Sequence, residues 1–505
     1  MSDQDRTGRA QMRKNVLASW ASYVVFIVFG FVMPRAIDES IGQVALGVWD
    51  FAWSVVHYLS LSMIGIGSSV NRYVARYRAK NDTISLSRSV SSVNAIQIAI
   101  AIFVLLGAYV LSIVIPGAMS DRLGQQGDET GALILILGAS LAVQMAFDVF
   151  RGILTGCHRW LVYNVLNAGG YAVAASGMLV VLMLGHGLVG MATVYLVATI
   201  GTELLRASLS RRVCPEAEFS TRHVNFEDMK KMVKFGAKTI LIGLPRMITL
   251  YTVNIFVVAN LGAAMLAVLA RPVALVGHIM SLIEKFANVL TPTAGSLQSM
   301  GQSEELREFS ISVMRIGWIF AAVPLIFLAI LGDKIVHLWM GNGYANPTIT
   351  VILACGSIFS MAQFALLKIM VGLDEHGRIA RQCLINSISA LTIGTLILQF
   401  YDWSLVAAAM MVIIPSIVGP GIVVPYLGCQ VLGIGPREYF SKVLKDPVVV
   451  ILVAAPALLM VRLVGPDSAA LMLVFGFVTH AVVVSIILHR DLQSTFKSFS
   501  RGKPA

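Results

Sequence analysis

The chain has 505 residues, of which 57% are hydrophobic and 13% charged, and carries a formal net charge of +11. An average soluble domain is roughly a quarter charged, so this composition excludes an ordinary water-soluble enzyme. The five cysteines (Cys157, Cys214, Cys355, Cys383, Cys429) show no paired spacing with each other or with His, so neither a disulfide, a zinc site nor any cofactor is expected.

Apolar runs such as Val16 to Met33 and Ile96 to Ile115 reach the roughly 18 to 20 residues that cross hydrocarbon, because a helix rises about 1.5 Å per residue and satisfies its own backbone. In the first run, MRKN leads directly into a full-length apolar stretch, so it is expected to stay as a helix rather than be cleaved as a signal. Reading by apolar run and breaker predicts about fourteen transmembrane helices. They fall near 15–33, 44–69, 93–115, 131–150, 161–184, 188–206, 237–260, 264–289, 311–331, 348–370, 381–400, 405–426, 448–464 and 468–489.

Threading alternate loops to one side collects about 32 of the 38 Lys and Arg with the N-terminus, the positive-inside signature. The other side keeps Arg35, Arg122, Lys334 and Arg462, while Arg246 and Arg271 fall inside helices. Both termini are therefore expected in the cytoplasm, and the positive charge meets anionic lipid rather than nucleic acid. Trp49, Trp160, Trp339 and Trp403 sit near predicted boundaries and read as interface anchors.

The predicted organisation is a tail (1–14), a six-helix lobe (15–208), a cytoplasmic linker (209–236), a second six-helix lobe (237–430), a loop (431–447), two further helices (448–489) and a tail (490–505). In the linker, Asn225 can cap a helix with Glu227 and Asp228 in its first turn and Lys230, Lys231 and Lys234 towards its end. Met229, Met232 and Val233 form an apolar face, which predicts an amphipathic helix on the inner leaflet. The halves repeat weakly: GCHRWLVYN (Gly156 to Asn164) precedes a helix, a GHG turn and LVGMA, and GLDEHGRIARQ (Gly372 to Gln382) precedes a helix, a YDW turn and LVAAAM. Parallel repeats of this kind are a common transporter plan, with a central cavity between lobes.

The stretch Ile41 to Asp82, together with RGILTGCHRWLVYN, GHGLVGMA, MVKFGAK, NLGAAMLAVLARPVALV, LTPTAGSLQSMGQSEELREF, IVHLWMGNGY and VLGIGPREY in order, resembles bacterial polysaccharide (O-antigen type) flippases. These belong to the multidrug, oligosaccharidyl-lipid and polysaccharide exporter superfamily. The resemblance implies an inner-membrane transporter that flips a lipid-linked oligosaccharide, on a polyprenyl pyrophosphate carrier, to the outer leaflet by alternating access, with glycan-assembly enzymes as partners. Members often carry Asp where this chain has Met63, and Thr-Asp where it has Thr252 and Val253, so the acids of a cation-coupling scheme are missing.

An ionisable residue within a membrane is costly unless it faces protein or a wet cavity, which makes each one a functional lead. Arg246 falls nine residues into the predicted seventh helix, roughly 13 Å of rise, and shares a wheel sector with Thr239, Thr249 and Asn260. Pro245 before it is expected to free a carbonyl or kink the helix. Arg271, His278 and Lys285 superpose along the eighth helix; Asp50, His57 and Asn71, with Ser68, do so along the second. Facing stripes would line a cavity whose cationic wall suits pyrophosphate or acidic sugars. Structural pairing is the competing account of Arg271, and inert burial that of the histidines. Asp148 and Arg151, one turn apart, read as a structural pair or a gate, and His480 as structural.

No Walker-type phosphate loop is present, so the energy is expected from a gradient or from downstream consumption. A cation-coupled multidrug exporter of the same superfamily is the first alternative; it needs buried carboxylates, which the first and seventh helices lack. A membrane glycan polymerase or ligase is the second; it favours long outer loops, whereas those here are short.

Overall fold

The computed structural model describes residues 9–61, 66–124 and 127–501. Met63, the side chains of Ser68, Lys231 and Thr239, and residues 1–8 and 502–505 of the tails lie outside the described residues. All regular elements described are helical. The first are α1 (Arg9–Ile41), α2 (Gln43–Ser60), α3 (Ile66–Ala79), α4 (Thr83–Leu123), α5 (Gly127–Gly156), α6 (Trp160–Met183), α7 (Gly187–Val213) and α8 (Phe226–Ile240). Next come α9 (Leu244–Leu261), α10 (Ala263–Ala287), α11 (Leu290–Ser299), α12 (Ser303–Met340), α13 (Pro347–Met361), α14 (Phe364–Gly372) and α15 (His376–Ile397). The last are α16 (Leu405–Ser416), α17 (Val424–Leu432), α18 (Pro436–Glu438), α19 (Lys445–Val464) and α20 (Ala469–Arg501), with π-helical stretches at Ile417–Val423 and Tyr439–Leu444.

Among the described residues, twelve segments are long and apolar enough to cross a membrane. The other two expected spans, 44–69 and 381–400, fall on more polar helices: α2 up to Ser60 and the start of α3, with Asp50 and His57 in α2, and α15 up to Ile397, with Arg378 and Arg381. The chain is thus an all-α, multi-pass membrane protein. It divides into two compact units, one of Met1–Leu244 with Asn254–Leu266 and one of Pro245–Val253 with Ala267–Ala505.

Several boundaries differ from the sequence expectation for local reasons. Helix α4 starts at Thr83 rather than near 93, because the Asp82 side chain accepts from the Ser85 amide and caps it. The predicted span 237–260 is two helices: α8 runs on to Ile240, a turn covers residues 241–243, and α9 restarts at Leu244. Pro245 then sits in the first turn of α9, where its missing N–H costs nothing, instead of kinking a helix interior.

In the first unit α5 packs on α3 through small residues. A Cβ at Gly152 would lie 2.4 Å from that of Val70, and one at Gly156 would lie 2.8 Å from that of Val74. This GILTG spacing is the small-xxx-small device that lets membrane helices approach closely. Val70, Val74, Val90, Phe150 and Ile153 form a buried cluster there, and Met232 of α8 joins it, with Met229 and Val233 packed alongside. The apolar face expected on the inner leaflet is therefore covered by protein.

Three serines of α4 strap the preceding linker to the same unit. Ser87 Oγ donates to the Glu216 carbonyl (3.3 Å) and accepts from the Glu218 amide (3.1 Å). Ser91 Oγ donates to the Glu218 carbonyl and accepts from the Ser220 amide, both at 3.2 Å. Ser92 Oγ donates to the Asn225 carbonyl (3.5 Å) and accepts from the Asn225 amide (2.9 Å). The hydroxyls thus do what a neighbouring strand would do, pairing an extended backbone that would otherwise be unsatisfied. Arg78 closes the far end on Glu216 at 2.8 Å.

The second unit is built around α12. Arg462 of α19 grips Asp333 with both guanidinium nitrogens, at 2.7 and 3.0 Å, the strong bidentate geometry. His480 of α20 donates through Nε2 to the Val323 carbonyl at 2.9 Å, a structural role as expected. The strip between α17 and α19 lies along α12: Arg307 pairs with Glu438 and Arg315 with Asp446. Between them the Tyr439 hydroxyl accepts from Trp318 Nε1 (3.0 Å) and Gln363 Nε2 (3.3 Å).

Candidate functional site

In the first unit α2 presents Asp50, Trp53 and His57 one turn apart. The His57 ring stacks on Trp53, with centroids 5.0 Å apart, and Tyr195 of α7 meets Trp53 edge-on at 5.3 Å. The Asp50 carbonyl accepts from Ser54 Oγ, which in turn accepts from Asn254 Nδ2 at 2.9 Å. Asn71 does not continue this stripe, because α2 ends at Ser60 and Asn71 belongs to α3, where its carbonyl abuts Gly156. Trp49 is not an interface anchor either; it is 9% exposed and meets Trp53 edge-on.

Asp148 and Arg151 are paired at 2.5 Å, and Asp148 also accepts from Gln97 Nε2 at 3.2 Å. They belong to a larger buried network that sequence reading missed. On α7 Arg206 grips both oxygens of Glu203, at 2.6 and 2.8 Å, and its guanidinium lies 6.0 Å over the Tyr163 ring. Glu203 and Arg206 were legible only with α7 extended to Val213, since the expected end at 206 left them in the interface. Two carboxylates and two guanidiniums make this network neutral, the arrangement of a structural tie.

In the second unit the polar stripe around Arg246 dissolves. Thr249 Oγ1 turns back to the Pro245 carbonyl at 2.9 Å, and Thr239 lies on a different helix, α8. In the segment of α9 that belongs to the first unit, Asn260 Nδ2 turns back to the Phe256 carbonyl at 2.8 Å. Arg246 itself is in the first turn of α9, not roughly 13 Å along a helix, because the chain breaks at 241–243. Its side chain is exposed and makes no hydrogen bond or ion pair among the described residues. A cation at a helix N-terminus is opposed by the macrodipole, so this position favours an anion beside it.

Arg271 is buried, 3% exposed, and its guanidinium lies 5.8 Å over the ring of Trp339 on α12. That stacking removes Trp339 from the set of interface anchors: it is 8% exposed. His278 and Lys285 follow on α10, both half-buried. Beside them Lys368 of α14 approaches Glu284 of α10 at 3.5 Å, with side-chain exposures of 18% and 48%. Lys368 was missed although it interrupts the apolar run FALLKIM, a signal of the same kind as Arg271. Helices α9, α10, α11 and α14 together carry Arg246, Arg271, His278, Lys285 and Lys368 against a single acid, Glu284. Such an excess of positive charge binds phosphate or carboxylate, and no group of residues that could hold a metal ion occurs among those described.

No family model and no curated protein matches the chain. Solved structures do. An inward closed conformation of the lipid II flippase MurJ matches 94% of this chain and 99% of its own at 13% identity, with a TM-score of 0.69. An inward-facing multidrug resistance MATE family transporter of the MOP superfamily matches 82% of this chain and 94% of its own at 15% identity, with a TM-score of 0.61. A MOP superfamily transporter from Pyrococcus furiosus matches 84% and 95% at 15% identity, with a TM-score of 0.58. Taken with the all-helical membrane architecture, these likenesses give the chain the fold shared by MATE transporters of the MOP superfamily and the lipid flippase MurJ.

Proposed function

We propose that this protein flips a lipid-linked oligosaccharide precursor, carried on polyprenyl pyrophosphate, from the cytoplasmic to the outer leaflet by alternating access. The observation that carries the reading is the charge inventory of the second unit: four cations and His278 against one acid on four helices, with Arg246 exposed and outside any ion pair among the described residues. An organic cation would be repelled by that surface, whereas a pyrophosphate headgroup would be drawn to it. In the orientation given by the positive-inside pattern, Arg246 at the start of α9, Lys285 at the end of α10 and Lys368 near the end of α14 all lie at the cytoplasmic ends of their spans. That is where such a substrate is loaded. His278 and Arg271 then continue outward along α10 in steps of roughly 10 Å, a graded series of stations for one phosphate group.

The structural neighbours support a membrane transporter of this fold: one is a lipid II flippase, another a multidrug resistance MATE family transporter, and for the Pyrococcus furiosus transporter reversed polarity of the binding pocket suggests a different function. The cation-coupled exporter retains one observation in its favour, the buried Asp148 and Glu203. Each is bonded to an arginine, which leaves neither carboxylate available to a transported cation.

The test is flipping of a fluorescent polyprenyl-pyrophosphate sugar in proteoliposomes by the wild type, Arg246→Ala and Arg271→Ala. Loss of flipping in both variants with normal reconstitution is expected. Undiminished flipping in both would overturn the reading, and transport of an organic cation instead would favour the exporter.

A further inference from the structure

We propose that Glu284 is a built-in competitor for the anion site, a tethered carboxylate that sets how much negative charge a ligand must carry to be accepted. The inference rests on the cationic reading of the second unit and names the residue that gives it selectivity. Glu284 is the one acid on α9, α10, α11 and α14. It approaches Lys368 at 3.5 Å, the outer limit of a hydrogen bond, and its side chain is 48% exposed. Arg246, on the same four helices, makes no ion pair among the described residues. Lys285 follows it directly in the chain. A half-exposed carboxylate at 3.5 Å from a single lysine is loosely held.

The consequence is a threshold. A side chain on the site's own helix competes at an effective concentration on the order of millimolar or more, and it needs no translational ordering to do so. A phosphodiester, the headgroup of ordinary membrane phospholipids, brings one negative charge and offers the cations little that Glu284 does not already supply. A pyrophosphate brings two or more charges and several acceptor oxygens, so it can compete with the carboxylate for Lys368 and displace it. In a bilayer, phosphodiesters vastly outnumber any polyprenyl pyrophosphate, so a purely cationic site would be occupied by the wrong lipid. Specificity of this kind comes from a repulsive element as much as from an attractive one.

The experiment measures binding of inorganic pyrophosphate and of dimethyl phosphate, a diester monoanion, by calorimetry on the full chain in a phosphate-free maltoside detergent. Wild type is expected to bind pyrophosphate and to ignore dimethyl phosphate. Glu284→Gln is expected to bind pyrophosphate about tenfold more tightly, the effect of removing one nearby charge from a partly hydrated site, and to acquire dimethyl phosphate binding. Glu284→Asp, which keeps the charge, should retain the wild-type pattern and shows that the site is intact. If Glu284→Gln gains neither property while Arg246→Gln and Lys368→Gln lose pyrophosphate, the threshold is refuted and the cationic site stands. If wild type, Arg246→Gln and Lys368→Gln all bind pyrophosphate alike, or none does, the cationic reading itself is refuted.

Discussion

Removing the hydroxyls of Ser91 and Ser92 tests how the linker is held. Each serine both donates to and accepts from the linker backbone, and the two are 4% and 0% exposed. Alanine fills almost the same space but takes their serine partners from the Glu218 carbonyl, the Ser220 amide and the Asn225 amide. A buried polar group left unsatisfied costs about 1–3 kcal/mol; about 2 kcal/mol per serine corresponds to about 30-fold faster local opening. Hydrogen exchange by mass spectrometry on the segment 214–226, in nanodiscs, reads this directly. The amides of Ser220 and Asn225 should lose protection in Ser91→Ala and Ser92→Ala respectively, and the double variant should lose roughly the sum, while the α5 segment 141–154 is unchanged. Ser92→Thr, which keeps a hydroxyl, should protect more than Ser92→Ala. Unchanged exchange in the double variant would show that the apolar docking of α8 alone holds the linker and that the serines contribute nothing.

Glu203→Leu should lower stability by about 3–5 kcal/mol, seen as reduced thermal stability in detergent, because it strands a buried Arg206; an unchanged midpoint would mean water reaches that pair. Cys157 and Cys214 should resist maleimide in the folded protein and react after denaturation in detergent. The hydrogen bond with Cys157 and burial both push the Cys214 thiol up; rapid labelling of the native protein would contradict the burial. Glu216 is a pH probe of the linker. Burial pushes its carboxyl up, but its own backbone amide and Arg78 outweigh this and hold it below the ordinary value of 4.5. A depressed folded value means the stabilisation is full above 4.5 and disappears as pH falls through the folded value. Linker protection should therefore drop on acidification below that point, and Arg78→Gln should weaken protection at neutral pH and flatten the dependence.

Much of the helical scaffold was legible because hydrocarbon demands long apolar runs, and those runs are free of charged residues in α6, in Ala132–Phe147 of α5 and in Pro447–Val461 of α19. What escaped was polar helix. Thr83 to Val93 looks like a loop because serine competes with its own backbone in isolation; here the same hydroxyls are occupied by a linker that sequence does not place beside them. The two cationic leads separated for the same reason. Arg271 kept its seven-residue relation to His278 and Lys285 because α10 is continuous across all three. Arg246 lost its stripe because the turn at 241–243 resets the helix; Gly243 and Pro245 signal a disturbance there, but a kink within one helix was expected rather than a restart. Lys368 and Glu284 meet only through the packing of α14 beside α10, a tertiary fact without periodic trace.

The charged strip along α12 has an unusual property of register. Glu438 stands opposite Arg307 and Asp446 opposite Arg315, at one shared offset of 131 residues. Midway between the two acids sits Lys442, which bonds Glu438 at 2.8 Å. Slipping the strip one helical turn forward would set Lys442 against Arg307, and slipping it one turn back would set Lys442 against Arg315. Both neighbouring alignments therefore put like charges face to face. One lysine thus disfavours a slip in either direction, which adds to the register by which α19 meets α12.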